Sequence, residues 1–188
     1  MNFQSDTEGW LRENIVGPKK KLAFFVGAGI SVDSGLPNFF KFSSNFIGSI
    51  CPSSLKKSDV AEICQRLRPE VLLQIVQQVH KERTMDFYNS LESNNPNPNH
   101  FFLALALKAG HCVFTTNVDT LIEQACKKLE LPCNPIVHEN EFERFLEEQS
   151  KGESGIDFTS QLFKLHGSIE GDKVGLKKYE SIRFVLDR

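Results

Sequence analysis

The sequence contains no pair of cysteines at the spacing that a structural zinc site needs. Its cysteines are an odd number and form no C-x-x-C pair, so neither a disulfide framework nor a zinc cluster is expected. A reducing cytoplasm fits this cysteine usage, and the protein is predicted to be cytoplasmic. No apolar run approaches the roughly 20 residues of a membrane span, and the N-terminus lacks the features of a signal peptide. No membrane partner is predicted.

The sequence also lacks an excess of either charge. Its 22 basic and 24 acidic residues give a net charge of -2, which offers no electrostatic basis for direct nucleic-acid binding. With 188 residues, the chain suits one compact domain that holds together without crosslinks. Tryptophan and tyrosine are scarce, whereas there are 16 phenylalanines, and most of these are expected in the core.

Strand and helix signals alternate along the chain. The predicted elements are, in order, helix Thr7–Ile15, buried strand Leu22–Val26, helices Asp59–Leu67, Val71–His80 and Asn99–Ala109, strand Cys112–Thr116, helix Asp119–Leu129, a short strand at Ile136–Val137, helix Asn140–Gln149, strand Gln161–Leu165 and helix Tyr179–Leu186. This order predicts an α/β fold: a Rossmann-like parallel sheet flanked by helices, with a helical insertion after the first strand and its glycine loop. We predict a single domain over 1–188, with its sheet core at about 20–40 and 110–188 and its insertion at about 41–109.

Three polar motifs each follow a predicted strand. They are Gly27–Ser31, Asn117–Asp119 and His166–Ser168. The carboxyl ends of parallel strands meet at one edge of the sheet, and ligands of such sheets bind in the crevice beyond that edge. The shared placement of the motifs predicts a ligand site there.

The first motif has the features of a phosphate-binding loop. Gly27 and Gly29 would let the backbone turn tightly and approach a pyrophosphate, and Ser31 could add a hydroxyl contact. A tight turn without a ligand is an equally open interpretation of G-x-G alone. The dehydrogenase fingerprint G-x-G-x-x-G is incomplete, because Val32 stands where its third glycine belongs, so hydride transfer is not predicted.

The longer string Gly27–Phe39, GAGISVDSGLPNF, resembles the sirtuin pattern G-A-G-I-S-x-x-S-G-I-P-D-F. Thr115–Asp119, TTNVD, resembles the T-Q-N-I-D motif of the same family, and Lys164–Ser168, KLHGS, resembles its H-G segment. All three come in the family's order, with spacing within its range. The resemblance spans roughly Leu22 to Ser168.

The resemblance implies a site for NAD as substrate. The nucleotide-binding residues that it implies are Gly27, Ala28, Gly29, Ser31, Phe39 and Asp119, of which Asp119 would bind the carboxamide. Asn117 would orient the nicotinamide ribose or an attacking water, and His166 would be the general base. The chemistry agrees, because departure of nicotinamide leaves an oxocarbenium-like ribose that needs a polar clamp, a base active near neutral pH and exclusion of bulk water.

Both predicted catalytic residues have a structural alternative. Asn117 could begin or cap the helix that follows it, with Asp119 in the favourable first turn. His166 could be a structural histidine. The other histidines have no comparable context and are predicted to be structural: His80, His100, His111 and His138.

The sequence departs from deacylating sirtuins at several points. These continue D-F-R, whereas the chain reads Asn38-Phe39-Phe40, and Thr116 replaces the glutamine of T-Q-N-I-D. No cysteine follows Cys133, so the zinc module is excluded and no metal cofactor is predicted. The losses resemble those of sirtuin-like domains in prokaryotic antiphage defence proteins, which consume NAD rather than deacylate proteins.

The predicted function is therefore an NAD glycohydrolase that gives nicotinamide and ADP-ribose, as the effector domain of a defence protein. Two alternatives stay open: a zinc-less NAD-dependent protein deacylase, and a domain that senses NAD or ADP-ribose without turnover. The family continues beyond the third motif with a Gly-x-Ser strand, so a chain that ends at Arg188 is expected to be a fragment of a longer protein, with a short form as the alternative. The expected partners are further copies of the chain or a fused or separate sensor module.

Overall fold

The computed structural model of the chain describes residues 21–50, 54, 56–66, 71, 78, 90–150 and 159–169, together with Gly9 and Glu13. Its elements are, in order, β1 (Ala23–Val26), a 3₁₀ helix (Ala28–Ser34), α1 (Phe39–Ile50), α2 (Lys57–Arg66), α3 (Pro98–Lys108), β2 (Cys112–Thr115), α4 (Leu121–Lys128), α5 (Glu139–Ser150) and β3 (Leu162–Lys164). Three predicted helices lie almost entirely outside the described residues: Thr7–Ile15, Val71–His80 and Tyr179–Leu186. Among the described helices, none is long and apolar enough to cross a membrane.

The three strands form one parallel sheet in the order β1-β2-β3. The register pairs Phe25 with Phe114, and Phe114 with Phe163. Parallel neighbours require long crossover connections. Here α1, α2 and α3 lie on the connection from β1 to β2, and α4 and α5 lie on that from β2 to β3. The chain therefore has the predicted α/β architecture: a parallel sheet flanked by helices.

The main core packs one face of this sheet against α3 and α4. Its buried members are Leu103, Ala104, Leu107, Val113, Ile122, Ala125, Cys126 and Leu162. Local signals set the bounds of α3: the Asn97 side chain caps its first turn, Pro98 follows at the first helical position, and Gly110 adopts a φ of 85° just beyond its end. The predicted helix bounds Asn99–Ala109 are thus confirmed to within a residue.

A ladder of phenylalanines covers the other face of the sheet. Phe25 stacks on Phe114, and Phe114 stacks on Phe163, with ring centroids 4.7 Å apart in both pairs. This distance follows from the spacing of neighbouring strands, which places side chains in register about 4.8 Å apart. From α5, Phe142 and Phe145 pack against Phe163 and close that end of the ladder.

Two strand predictions are corrected by the structure. The first strand is not buried throughout: Phe24 packs against Phe102 and His111 on the core side, whereas Phe25, on the opposite face, is 73% exposed. Successive side chains of a strand point to opposite faces, and α5 covers only the β3 end of the Phe25 face. The predicted strand at Ile136–Val137 forms only an isolated parallel bridge, between Ile136 and Phe163.

Candidate functional site

The carboxyl ends of the three strands meet at one edge of the sheet, as the order of the elements predicts. The Thr116 N–H donates to the Val26 carbonyl at 3.2 Å, which joins the ends of β1 and β2. The Leu165 N–H donates to the Thr115 carbonyl at 2.9 Å, and this bond joins the ends of β2 and β3. The loops that carry the three motifs consequently lie side by side.

The first motif leads into the 3₁₀ helix. Gly27 is its N-cap in an extended conformation, with φ -138° and ψ -168°. A Cβ at Gly27 would lie 3.3 Å from Thr116 Oγ1, so glycine permits the close approach of the first loop to the second. A Cβ at Gly29 would meet nothing within 4 Å, and Ala28 and Gly29 are exposed. The contact of Gly27, Ala28 and Gly29 with phosphates stays a prediction.

Ser31 is the centre of a buried hydrogen-bond network that joins the first motif to the second. Its hydroxyl donates to Asp119 Oδ2 at 2.9 Å and accepts from Asn117 Nδ2 at 3.1 Å. The Nε2 of His100 lies 3.3 Å from the same hydroxyl. A serine hydroxyl has one donor and two acceptor positions, so these three contacts use all of them. Protein groups therefore occupy all the hydrogen-bonding positions of the Ser31 hydroxyl, and its predicted contact with a phosphate stays a prediction.

His100 was expected to be structural, and the structure places it in this network. The ring is fully buried, and its Nδ1 accepts the Asn97 N–H at 3.1 Å. Burial lowers the pKa of His100, an effect that the charge of Asp119 partly opposes, so the ring is neutral at pH 7. With Nδ1 as acceptor, the proton of the neutral ring is on Nε2, which donates to Ser31.

This direction of the hydrogen bonds decides what Ser31 can do. The His100 ring donates to the Ser31 hydroxyl, so it cannot take the serine proton as a general base in this arrangement. The serine proton points instead to the Asp119 carboxylate. A serine nucleophile activated by histidine is therefore not the chemistry that this network supports.

A sequence signal for His100 exists, although the prediction did not use it. The spacing Asn97-x-x-His100 is that of a capping box. In this motif the N-cap side chain accepts the backbone N–H of the third helical residue, and the side chain of that residue accepts the backbone N–H of the N-cap. Asn97 also donates from Nδ2 to the Ile30 carbonyl at 2.7 Å, which holds the start of α3 against the first motif. The capping box thus places the His100 ring within hydrogen-bonding distance of Ser31.

The helix-cap alternative for Asn117 is not observed. The helix α4 begins at Leu121, and the side chain of Asn117 turns to Ser31 instead. The role near the helix start falls to Asp119, whose Oδ1 accepts the Leu121 N–H at 3.1 Å. Both oxygens of Asp119 thus accept hydrogen bonds from the protein, and its predicted contact with a carboxamide stays a prediction.

His166 lies in the turn after β3 and is half-buried. The turn is closed by a bond from the Gly167 N–H to the Lys164 carbonyl at 3.2 Å, with Gly167 at a φ of 86° that favours glycine. Further along, the Ile169 N–H donates to the Val118 carbonyl at 2.8 Å. The loop of His166 is therefore held beside the loop of Asn117. By contrast, Phe39 begins α1, and its side chain lies outside the described part of the chain.

Lys164 is the last residue of β3, two positions before the third motif, and no role was predicted for it. It is fully buried, and its ammonium donates to the Asp119 carbonyl, to Glu123 Oε1 at 2.6 Å and to Ser168 Oγ at 3.1 Å. Lysine is almost never fully buried without a partner. A lysine inside the predicted strand Gln161–Leu165 was therefore a usable signal for a charge partner elsewhere in the fold.

The residues that the structure describes include no group of three or more His, Cys, Asp or Glu side chains that could hold a metal ion. In comparisons with known proteins, neither a family model nor a curated protein matches this chain. The function is therefore argued from the motifs and from the geometry of their side chains.

The state of His100 leads to a prediction about stability and pH. Its pKa in the folded protein lies below the unfolded value of about 6.5, so the unfolded chain binds the proton more readily. The neutral ring of His100 contributes to the free energy of unfolding. This contribution is fully present above about pH 6.5 and is lost as the pH falls towards the folded-state pKa of His100. We expect His100→Gln to be less stable than wild type at pH 8, and the gap to narrow as the pH falls to 5.5.

The measurement is the free energy of unfolding by urea at pH 8, 7, 6 and 5.5, a range that keeps most carboxyl groups ionised. A gap between wild type and His100→Gln that is the same at all four pH values would show that His100 does not titrate differently on folding.

Proposed function

We propose that the protein is a sirtuin-like NAD glycohydrolase of Rossmann-like fold, which cleaves the bond between nicotinamide and ribose. One observation carries the proposal: Ser31 from the first motif is hydrogen-bonded to Asn117 and Asp119 from the second, at the carboxyl ends of adjacent parallel strands. Residues that the sirtuin resemblance names in separate motifs thus belong to one cluster, at the edge where α/β sheets bind ligands.

The first loop supplies the phosphate-binding part of the proposal. The backbone N–H groups of Gly27, Ala28 and Gly29 would meet the negative charge of the pyrophosphate. The open space at Gly29 and the exposure of Ala28 support this role, because a phosphate can approach the backbone there. Ser31 and Asp119 would act indirectly, because they hold the Asn117 side chain and the loop around it in place.

The reaction needs a clamp for the ribose and a base for water. The C–N bond between ribose and nicotinamide breaks, nicotinamide leaves with the electron pair as a neutral molecule, and the ribose becomes oxocarbenium-like. Water then attacks the ribose carbon and gives its proton to the imidazole of His166, which yields ADP-ribose. The Asn117 amide nitrogen is held by Ser31, so its amide oxygen would accept a hydrogen bond from the ribose or the water.

Two replacements favour water over an acyl-lysine as the acceptor. Phe40 stands where deacylating sirtuins have arginine, and Thr116 stands in place of their glutamine. Both changes remove side chains of the family's deacylase motifs, and both resemble the domains that consume NAD in antiphage defence. We propose that the chain is the effector part of such a system, and that assembly with further copies or with a sensor module controls its activity.

The test is to incubate the purified protein with NAD, with and without an acetyl-lysine peptide, and to identify the products by mass. We expect nicotinamide and ADP-ribose in both samples at similar rates, with no acetylated ADP-ribose. Turnover that requires the peptide, with an acetyl group on the ribose, would support the deacylase instead. Bound NAD without any product would support the sensing domain, and a chain that neither binds nor cleaves NAD would refute the proposal.

A pair of glycine variants tests the site independently of turnover. Gly29→Asp has room for its side chain but places a negative charge at the proposed phosphate site, so NAD binding should be lost while the protein stays folded. Gly48→Asp makes the same change on α1, where a Cβ also meets nothing within 4 Å, and should bind NAD as wild type does. If Gly29→Asp binds NAD as tightly as Gly48→Asp and wild type do, the first loop is not part of the NAD site.

A further inference from the structure

The ammonium of Lys164 connects three segments at the site. An ammonium has three donors, and here they serve the backbone of the second loop at Asp119, the carboxylate of Glu123 on α4, and the hydroxyl of Ser168 in the third loop. The Lys164 side chain is 0% exposed and that of Glu123 is 18% exposed, so the pair is almost completely removed from water. The charge of Lys164 is thus fully compensated inside the protein.

Stability alone does not account for a charge at this position. The removal of an ion pair from water costs free energy, and apolar residues of similar volume are often as stable in its place or more stable. Leu162 lies two residues before Lys164, on the same face of β3, and its register partner on β2 is Val113. Both residues are buried, so apolar side chains fit into this part of the sheet. The particular effect of Lys164 is its reach: one side chain holds the backbone of the second loop and a side chain of the third.

The two loops joined in this way are those of the proposed catalytic residues. Asp119 comes two residues after Asn117, and Ser168 comes two residues after His166. The backbone bonds from Leu165 to Thr115 and from Ile169 to Val118 pair the loops. Lys164 adds a third connection between them, made by side-chain contacts at 3.1 Å or less.

We propose that Lys164, with Glu123 as its counter-charge, is a positioning residue that sets the placement of His166 relative to Asn117. This inference rests on the proposed function for its effect on catalysis. Lys164 is fully buried and acts through the loops, without contact with NAD. Because a displacement of about 1 Å can cost about 100-fold in rate, the loss of this connection lowers kcat rather than NAD affinity.

The test uses a variant in which no buried charge is left unpaired. Lys164→Met combined with Glu123→Met replaces the ion pair by apolar side chains of similar length, so the fold is retained. We expect kcat for NAD cleavage to fall by about 100-fold and KM to change by less than about 3-fold. The matched control combines Arg66→Met with Glu62→Met, which removes an exposed pair on α2 and should leave both constants unchanged.

A second variant keeps the proposal falsifiable should the double variant fail to fold. Ser168→Ala removes the contact with the third loop and retains the ion pair of Lys164 with Glu123. We expect it to remain folded and to lose about 10-fold in kcat with KM unchanged. Wild-type kcat in either folded variant would show that the role of Lys164 is structural only, and would overturn the inference.

A spectroscopic measurement separates this inference from the proposed function. The imidazole resonances of His166, assigned by comparison with His166→Ala, should shift in the Lys164→Met/Glu123→Met protein and remain in place in the α2 control. If wild type does not cleave NAD, the proposed function fails, but a shifted His166 signal still supports the positioning role. Unchanged His166 resonances overturn the positioning role whatever the activity of wild type.

Discussion

His166→Ala is expected to lower the rate of NAD cleavage by about 100- to 10,000-fold, which is the usual effect of losing a general base. The imidazole is the proposed acceptor of the water proton, and alanine offers no group for this step. The fold should be retained, because His166 lies in a turn whose backbone bonds do not depend on its side chain. Turnover is measured as nicotinamide released per protein, and folding as the midpoint of thermal unfolding.

His111→Gln is the control for this experiment. His111 lies just before β2, at the amino end of the sheet, where its Nδ1 accepts the Leu22 N–H at 3.3 Å. Its replacement should leave the turnover of the folded protein unchanged. Undiminished turnover in a folded His166→Ala protein would remove His166 from the mechanism and leave the structural alternative for this residue.

Phe163→Ala is expected to lower the free energy of unfolding by about 3–5 kcal/mol, as is typical of a large aromatic residue deleted from a core. The Phe163 side chain is 1% exposed and contacts Phe114, Phe142 and Phe145. Its removal opens a cavity between β3 and α5 that rigid neighbours cannot close. The loss is measured by urea unfolding monitored by circular dichroism.

Phe25→Ala provides the comparison within the same ladder. Phe25 stacks on Phe114 but is 73% exposed, so little of its surface is removed from water on folding of one chain. We expect a loss of about 1 kcal/mol or less, the range of a single exposed aromatic contact. A loss equal to that of Phe163→Ala would contradict the exposure of the Phe25 face in the folded protein.

Much of the fold could be predicted because its signals are local. Asn97-Pro98 and Gly110 mark the bounds of α3 through capping and backbone geometry, which involve only neighbouring residues. The burial of β1 was predicted wrongly, because an apolar run does not reveal which face of a strand another element covers. Ile136 was predicted to lie in a strand, yet it forms one bridge, since pairing depends on a partner distant in sequence.

The residues of the candidate site also fall into two groups: those that local motifs predicted, and those whose roles depend on contacts with distant segments. Ser31, Asn117 and Asp119 were selected from their motifs, and the structure brings them into contact. His100 and Lys164 were not selected, since their roles arise from contacts with residues 69 and 41 positions away in sequence. No local pattern states that a histidine on α3 will donate to a serine after β1.

The sequence by itself determined the α/β order of elements and the placement of three polar motifs after three strands, because periodicity and turn residues act over a few positions. Only the tertiary structure decided the direction of the hydrogen bonds around Ser31, the lowered pKa of His100 and the connection of two loops by Lys164. Each of these depends on burial, and burial is set by which distant segments pack together. A buried charge or hydroxyl must find its partners there, and so the packing selects the contacts.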